Sequence, residues 1–197
     1  MPAHPSAGNH DNTLANALMY YYGSQNKPFV YRCINRLDRD TTGLTIVAKH
    51  ALAGGILGNA VAKRAIHRTY YAVCSGCTPA CMRISAPIAR KDASTIERCV
   101  DFKRGENAVT DFIRIKYNPD NNLSLVKLRL LTGRTHQIRV HMKYIGFPLI
   151  GDFLYNPDYT YISRQALHSG RLVFTHPVTG QKMNLISDIP SDMKSLF

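Results

Sequence analysis

Two strand-like apolar segments separated by a short polar turn constrain this chain more than any other feature. Val109–Tyr117 and Leu123–Leu131 flank Asn118-Pro-Asp-Asn-Asn122, a turn too short for a crossover, so the two strands must run antiparallel. Thr132-Gly133 follow at once, and a helical stretch then places Ile138, His141, Met142 and Ile145 on one face, with Gly146 and Pro148 to stop it. Upstream, Asn12 or Thr13 can cap a helix with Leu14, Ala17, Leu18 and Tyr21 on its apolar face, ending at Gly23. Leu44–Ala48 reads as a short strand, Ala51 to Lys63 as a small-residue helix, and Thr69–Cys74 as a further strand. Gln165 to Leu185 holds a second apolar pair around His176–Gly180, and the first ten residues read as a loop. The expectation is an α+β fold with a mixed, mainly antiparallel sheet and flanking helices, in one domain over residues 1–197.

Charge narrows the partner class. The chain carries 25 Lys+Arg against 13 Asp+Glu, a net +12. Such a surplus attracts polyanions, so nucleic acid leads, with binding that weakens steeply in salt. A basic protein that is merely soluble is the alternative. No apolar run approaches the roughly 20 residues of a membrane-spanning helix, and the N-terminus lacks the pattern of a secretory signal. Five scattered cysteines do not form a disulfide framework, which suits reduced thiols in a cytoplasmic protein. Cys74-Ser-Gly-Cys77 is a lone CxxC followed by Cys81, without the second ligand pair a structural zinc site needs.

Three constellations could carry chemistry. Asn35-Arg-Leu-Asp-Arg-Asp-Thr-Thr-Gly-Leu44 sets Asp38 and Asp40 among cations at the mouth of a buried segment, with Gly43 free to turn tightly. A plain turn capped by Asp38 is the alternative. Leu131-Thr-Gly-Arg-Thr-His-Gln-Ile-Arg-Val-His-Met142 puts Arg134, His136, Arg139, His141 and Lys143 on or near a helix start, with His136, Arg139 and Lys143 on one face. This is either a phosphate-gripping surface or a solvated basic face. In Arg68-Thr-Tyr70-Tyr71-Ala72 strand alternation sends one tyrosine to the core and the other to a surface or cleft, where it could stack on an unpaired base.

Taken together, the motifs resemble the RluA-type pseudouridine synthases, nearest the RluD-like branch that acts on large-subunit ribosomal RNA. Arg36-Leu-Asp38 with Asp40-Thr-Thr-Gly-Leu44 is similar to the family's HRLDxxTSGL motif, and Arg68-Thr-Tyr70-Tyr-Ala72 to its KxYxA motif. Gly133–Met142 with Gly146, Pro148 and Leu149-Ile-Gly-Asp152 resembles GRTHQIRVHM…G.PLIGD, and Gln165–His168 with Phe174–Pro177 the closing signature. The resemblance implies Asp38 as nucleophile, Arg139 as its ion-pair partner and Tyr70 as the ring against the target uracil. It implies RNA contacts from Arg36, Arg39, Thr42, Arg68, Arg134, His136 and Gln137. No metal or organic cofactor is implied, and the partner is RNA, ribosomal first and transfer RNA as the alternative, met by a monomer. Asn35, Thr42 and Arg68 stand where the family usually has His, Ser and Lys. The resemblance also implies a catalytic domain without the family's usual first strand and without an upstream S4 module.

A non-catalytic RNA-binding protein and a metal-dependent nuclease or deaminase are the competing classes. The intact Asp38, Tyr70 and Arg139 argue against the first, and the lack of a ligand cluster against the second. Burial raises a carboxyl pKa and a close guanidinium lowers it, so an arginine is expected beside a reacting carboxylate in a dry pocket.

Overall fold

A computed structural model describes residues 1–5, 10–92 and 96–197. Part of the loop expected over the first ten residues falls outside these; residues 1–5 and 10 form neither helix nor strand. The chain builds α1 (Leu14–Gly23), β1 (Thr42–Gly43), α2 (Ala51–Ala62), β2 (His67–Ser75), β3 (Cys81–Ser85), β4 (Ile88–Arg90) and β5 (Arg98–Val100). It continues through β6 (Val109–Asn118), β7 (Leu123–Leu130), α3 (Gln137–Tyr144), β8 (Leu167–Thr175), β9 (Lys182–Ile186) and α4 (Ser191–Lys194). The main sheet runs β1-β8-β2-β7-β6-β3, with β9 added to β8; only β1 against β8 is parallel. β4 and β5 form a separate hairpin-like pair. The architecture is the mixed, mainly antiparallel α+β fold expected from the residues.

β2 is central because its Ala72, Val73 and Cys74 point into apolar surroundings on both faces and are fully buried. On one face Tyr70, Phe112, Val126 and Leu128 pack against Ile138, Met142 and Leu149, so α3 lies across the sheet. On the other, Val73 and Leu123 meet Ile150, Ile162 and Met193. Each large aliphatic side chain removed from water here contributes about 1.5–3 kcal/mol. α2 turns its small residue Ala53 and Leu57 onto Ile46, Ala48, Leu172 and Phe174 beside β8.

Two glycines set the sheet geometry where the site forms. Gly43 holds φ +104°, and a Cβ there would lie 2.3 Å from the Ser169 carbonyl oxygen, so only glycine lets β1 approach β8. Gly170 is skipped in the β2–β8 register, where Thr69 faces Arg171 and Tyr70 faces Ser169. A Cβ on Gly170 would meet the Tyr71 ring at 2.5 Å. This bulge changes the local aim of β2 beside Tyr70.

Three expectations need correction. Leu44–Ala48 is not a regular strand: after Leu44 N donates to the Ser169 carbonyl, the chain leaves β8 and pairs irregularly with 32–35, through Ile34 N to Ile46 O and Ala48 N to Arg32 O. α1 starts at Thr13 as expected, with a capping box to Asn16, but Ala15 is its buried residue and Tyr21 is 56% exposed. Tyr22 stacks on Phe29 at 4.3 Å, which turns the helix away from the expected face. α3 presents no basic face, because Gln137 through Met142 are all buried. Cys74 is buried within β2, whereas Cys77 and Cys81 are exposed. No helix among the described residues is long and apolar enough to cross a membrane.

Candidate active site

Asp38 opens a tight turn: Thr41 N donates to the Asp38 carbonyl at 3.0 Å, and Asp40 takes the left-handed conformation at φ +70°. The turn is clamped from several sides. The Gln165 amide donates to the Arg39 carbonyl and to Thr41 Oγ1, and Thr42 Oγ1 lies 2.9 Å from His168 Nδ1. Asn35 is buried, with Oδ1 accepting from Ile46 N at 2.8 Å and its carbonyl accepting from Thr45 Oγ1 at 2.6 Å. Its job is therefore to brace the backbone on the approach to Asp38, which an amide does by its own side-chain oxygen.

The third residue of α3 completes the arrangement. Arg139 is 1% exposed and holds two carboxylates at once. Its Nε and Nη2 donate to Asp152 Oδ2 and Oδ1 at 2.7 and 2.8 Å, and Nη1 donates to Asp38 Oδ2 at 3.1 Å. Burial opposes the guanidinium charge, but the hydrogen bonds and charge of Asp152, then those of Asp38, outweigh it and raise the pKa. Asp152 is fully buried, and its Oδ1 also accepts from Leu154 N and Tyr155 N. The rings of Phe153 and Tyr155 flank the guanidinium, their centroids 5.3 and 5.0 Å from Cζ. The planar fork of arginine is what allows a fixed bidentate grip on one acid and a single donor toward another.

Asp38 keeps 27% of its side chain exposed and faces a small cavity of about 90 Å3. Tyr70, Arg68, His136 and Arg139 share its walls. The β2 alternation sends Tyr70 to this face and Tyr71 to the opposite one. Tyr70 is only 5% exposed, so it lies on the cavity floor and not on an open surface. Burial pushes its phenol up, the Arg68 charge pulls it down, and the Asp38 charge adds to the rise. The cavity meets an open groove of about 650 Å3 that includes Arg36, Arg64, Arg68, Arg129 and Arg134. Arg36 and Asp38 line both spaces, so an anionic chain lying in the groove passes the carboxylate.

The remaining residues singled out in the sequence separate into two groups. Arg36 is exposed in the groove; Arg134 is exposed there too, ion-paired with Glu106 and donating to the Asn107 carbonyl. Arg39 points outward, paired with Asp40 at 3.1 Å and set 5.1 Å above the Phe153 ring. Thr42 and Gln137 are engaged within the protein. Gln137 is 2% exposed, donates to the Val109 carbonyl and Thr110 Oγ1, and accepts from Thr132 Oγ1 and Arg134 N. Its amide has no remaining valence for RNA. His136 caps α3 in the left-handed conformation, with Nε2 3.9 Å from Asp38 Oδ2 and Nδ1 2.9 Å from Tyr155 Oη. Lys143, expected on its face, is exposed 5.6 Å above the Tyr155 ring.

Asp152 and Tyr155 were not among the site residues read from the sequence. Asp152 stands in the Leu149-Ile-Gly-Asp152 motif, but its role follows only from the burial of Arg139, which then requires a well-matched carboxylate beyond the single oxygen of Asp38. Tyr155 had no sequence signal, since it reaches His136 solely through the path of the 149–156 segment.

A family model described as RNA pseudouridylate synthase matches residues 1–144. The uncharacterized RNA pseudouridine synthase YjbO of Bacillus subtilis is 42% identical over 195 residues, covering 98% of this chain and 68% of the relative. Ribosomal large subunit pseudouridine synthase D of Zymomonas mobilis is 38% identical, covering 100% and 66%. The chain thus spans about two thirds of the length of these curated relatives. Among solved structures, human RNA Pseudouridylate Synthase Domain Containing 1 superposes with a TM-score of 0.76 at 26% identity, over 89% of this chain and 74% of that one. With its motifs in order, its fold shared and three quarters of its length matched, this chain belongs to the RNA pseudouridylate synthase family, in the RluA-type, RluD-like branch.

Proposed function

We propose that the chain is the catalytic domain of an RNA pseudouridine synthase and that Asp38 is its nucleophile. The observation that carries the reading is the carboxylate of Asp38 at the mouth of a cavity floored by Tyr70, 3.1 Å from a guanidinium that is itself buried. Isomerisation breaks the bond from sugar C1′ to uracil N1, turns the base and joins C5 to C1′. Nothing is oxidised and no atom is lost, so one carboxylate suffices and the proposed reaction calls on no cofactor. Arg139 offsets the charge of Asp38 in the cleft, while Asp152 keeps that arginine from collapsing fully onto the reacting acid.

The target uridine must leave its stack to reach Asp38, at a cost of a few kcal/mol. Stacking against Tyr70 returns about 1–3 kcal/mol. Phosphate contacts along the groove, with Arg36 positioned to reach into the RNA, supply the remainder. The +12 charge fits a polyanionic substrate, and the relatives named for the large ribosomal subunit favour ribosomal RNA. Five unbridged cysteines fit a cytoplasmic setting. The test is conversion of uridine in ribosomal RNA transcripts, read by carbodiimide-dependent primer extension. Wild-type protein should form pseudouridine and Asp38→Ala should form none. Product from Asp38→Ala at the wild-type rate would remove Asp38 from the chemistry.

A further inference from the structure

We propose that Arg164 is a positioning residue for Asp38 and that Asp192, on the C-terminal helix α4, sets its place; this rests on the reading of Asp38 as the reacting acid. The turn that carries Asp38 is closed by the bond from Thr41 N to the Asp38 carbonyl at 3.0 Å and leads into β1, which is two residues long. Asp40 within it sits at φ +70°, a conformation that a residue other than glycine keeps under outside constraint. Arg139 fixes the Asp38 carboxylate through one bond at 3.1 Å, so placing the backbone beneath it falls to other neighbours. Those neighbours lie in one five-residue stretch, 164–168, on the approach to β8. Gln165 Nε2 donates to the Arg39 carbonyl and to Thr41 Oγ1, Arg164 Nη1 donates to the Asp40 carbonyl at 3.5 Å, and Thr42 Oγ1 lies 2.9 Å from His168 Nδ1.

The stretch is itself held from the C-terminal side. Asp192 takes Arg164 bidentately, Oδ2 accepting from Nε and Oδ1 from Nη2, both at 2.9 Å. That grip turns the remaining guanidinium nitrogen inward, where Nη1 lies among the carbonyls of Gln165, Leu167 and Asp40 at 3.0, 3.4 and 3.5 Å. His168 Nε2 lies 3.3 Å from the Ser187 carbonyl, and the N–H it donates there leaves Nδ1 to accept from the Thr42 hydroxyl. Arg164 keeps 16% of its side chain exposed, against 52% for Arg39, whose pair with Asp40 is a surface contact. The support beneath Asp192 is firm: Met193, the next residue, is fully buried with Val73, Ile150, Ile162 and Ala166. Ile162 and Ala166 bracket Arg164 in sequence, so core packing and the ion pair fix the same stretch. Without Asp192 the guanidinium is released from the three carbonyls and the turn loses a donor at Asp40. Displacing a reacting group by 1 Å costs up to about 100-fold in rate.

The experiment compares wild type, Asp192→Ala, Asp192→Glu and Lys116→Ala, with folding checked by thermal melts. It reads kcat and KM for pseudouridine formation in ribosomal RNA transcripts, and backbone hydrogen exchange over residues 38–44. Asp192→Ala should lower kcat by about 10-fold with KM for RNA nearly unchanged. It should also speed exchange at the Thr41 and Leu44 amides, which donate to the Asp38 and Ser169 carbonyls. Asp192→Glu, which keeps the charge, should recover most of both. Lys116 Nζ donates to the Phe197 carbonyl, so Lys116→Ala loosens the same C-terminal segment at its far end and should leave both readouts at the wild-type level. If Asp192→Ala does not fold, Asp192→Asn, which keeps one acceptor, carries the test with the same expected direction. Wild-type kcat and exchange in the Asp192 variant overturn the inference, as does a loss confined to KM, a loss of equal size in Lys116→Ala, or no recovery in Asp192→Glu. Wild-type protein that forms no pseudouridine brings down the proposed function, and the exchange readout then still decides whether Asp192 holds the turn. An active wild type with an indifferent Asp192→Ala brings down this inference alone.

Discussion

Arg139 serves two carboxylates that differ in burial, and this makes the consequences of removing each one separable. Asp152→Asn preserves shape but turns one of the two oxygens into an N–H that faces a guanidinium N–H. The bidentate pair at 2.7 and 2.8 Å becomes a single bond beside a donor–donor contact, around an arginine only 1% exposed. Breaking one side of a buried pair costs about 3–5 kcal/mol. For a chain of this length that corresponds to a fall in Tm of about 6–20 °C. Asp38→Asn is the internal control: Asp38 is 27% exposed and contributes one acceptor at 3.1 Å, while Arg139 keeps its bidentate partner. A partly exposed pair of this kind is worth about 0–1 kcal/mol. Urea denaturation monitored by circular dichroism would measure both. If Asp152→Asn matched wild type, or if Asp38→Asn were destabilised as much, the division of the arginine between a buried structural acid and a partly exposed one would be refuted.

Three further outcomes follow from the geometry. Gly170→Ala places a methyl 2.5 Å from the Tyr71 ring, so it should destabilise by about 1–3 kcal/mol in urea titrations and lower kcat through displacement of the neighbouring Tyr70. His141 is fully buried between Ala86 O and Thr110 Oγ1, each 2.9 Å from a ring nitrogen, and burial depresses its pKa. The unfolded chain then binds the proton more readily, so this stabilisation is complete above about pH 6.5 and declines as pH falls toward the folded-state value; melts of His141→Gln should show a flatter dependence than wild type between pH 7 and 5. Arg64 and Arg129, both exposed in the groove, should when changed to Ala weaken RNA binding and reduce the slope of log affinity against log salt by about 1 for each lost phosphate contact.

Local patterning determined a good part of the molecule. The β6–β7 pair, β2, α2, and the β8–β9 pair were legible because apolar periodicity and turn residues act over a few positions, and Asp38, Tyr70 and Arg139 were legible because each sits in a distinctive short motif. The short strands β3, β4 and β5 left too little pattern to see. What the chain's order alone could not decide was burial. By spacing, Arg139, His136 and Lys143 form a basic helical face, but the sheet and the 149–156 segment enclose α3, and only Lys143 of the three remains exposed. The pairing of Arg139 with Asp38 across 101 positions, and the contact of His136 with Tyr155, arise from packing distant segments together. Charge type is written in the residue, whereas its solvent and its partner belong to the fold, because both depend on which remote surfaces exclude water around it.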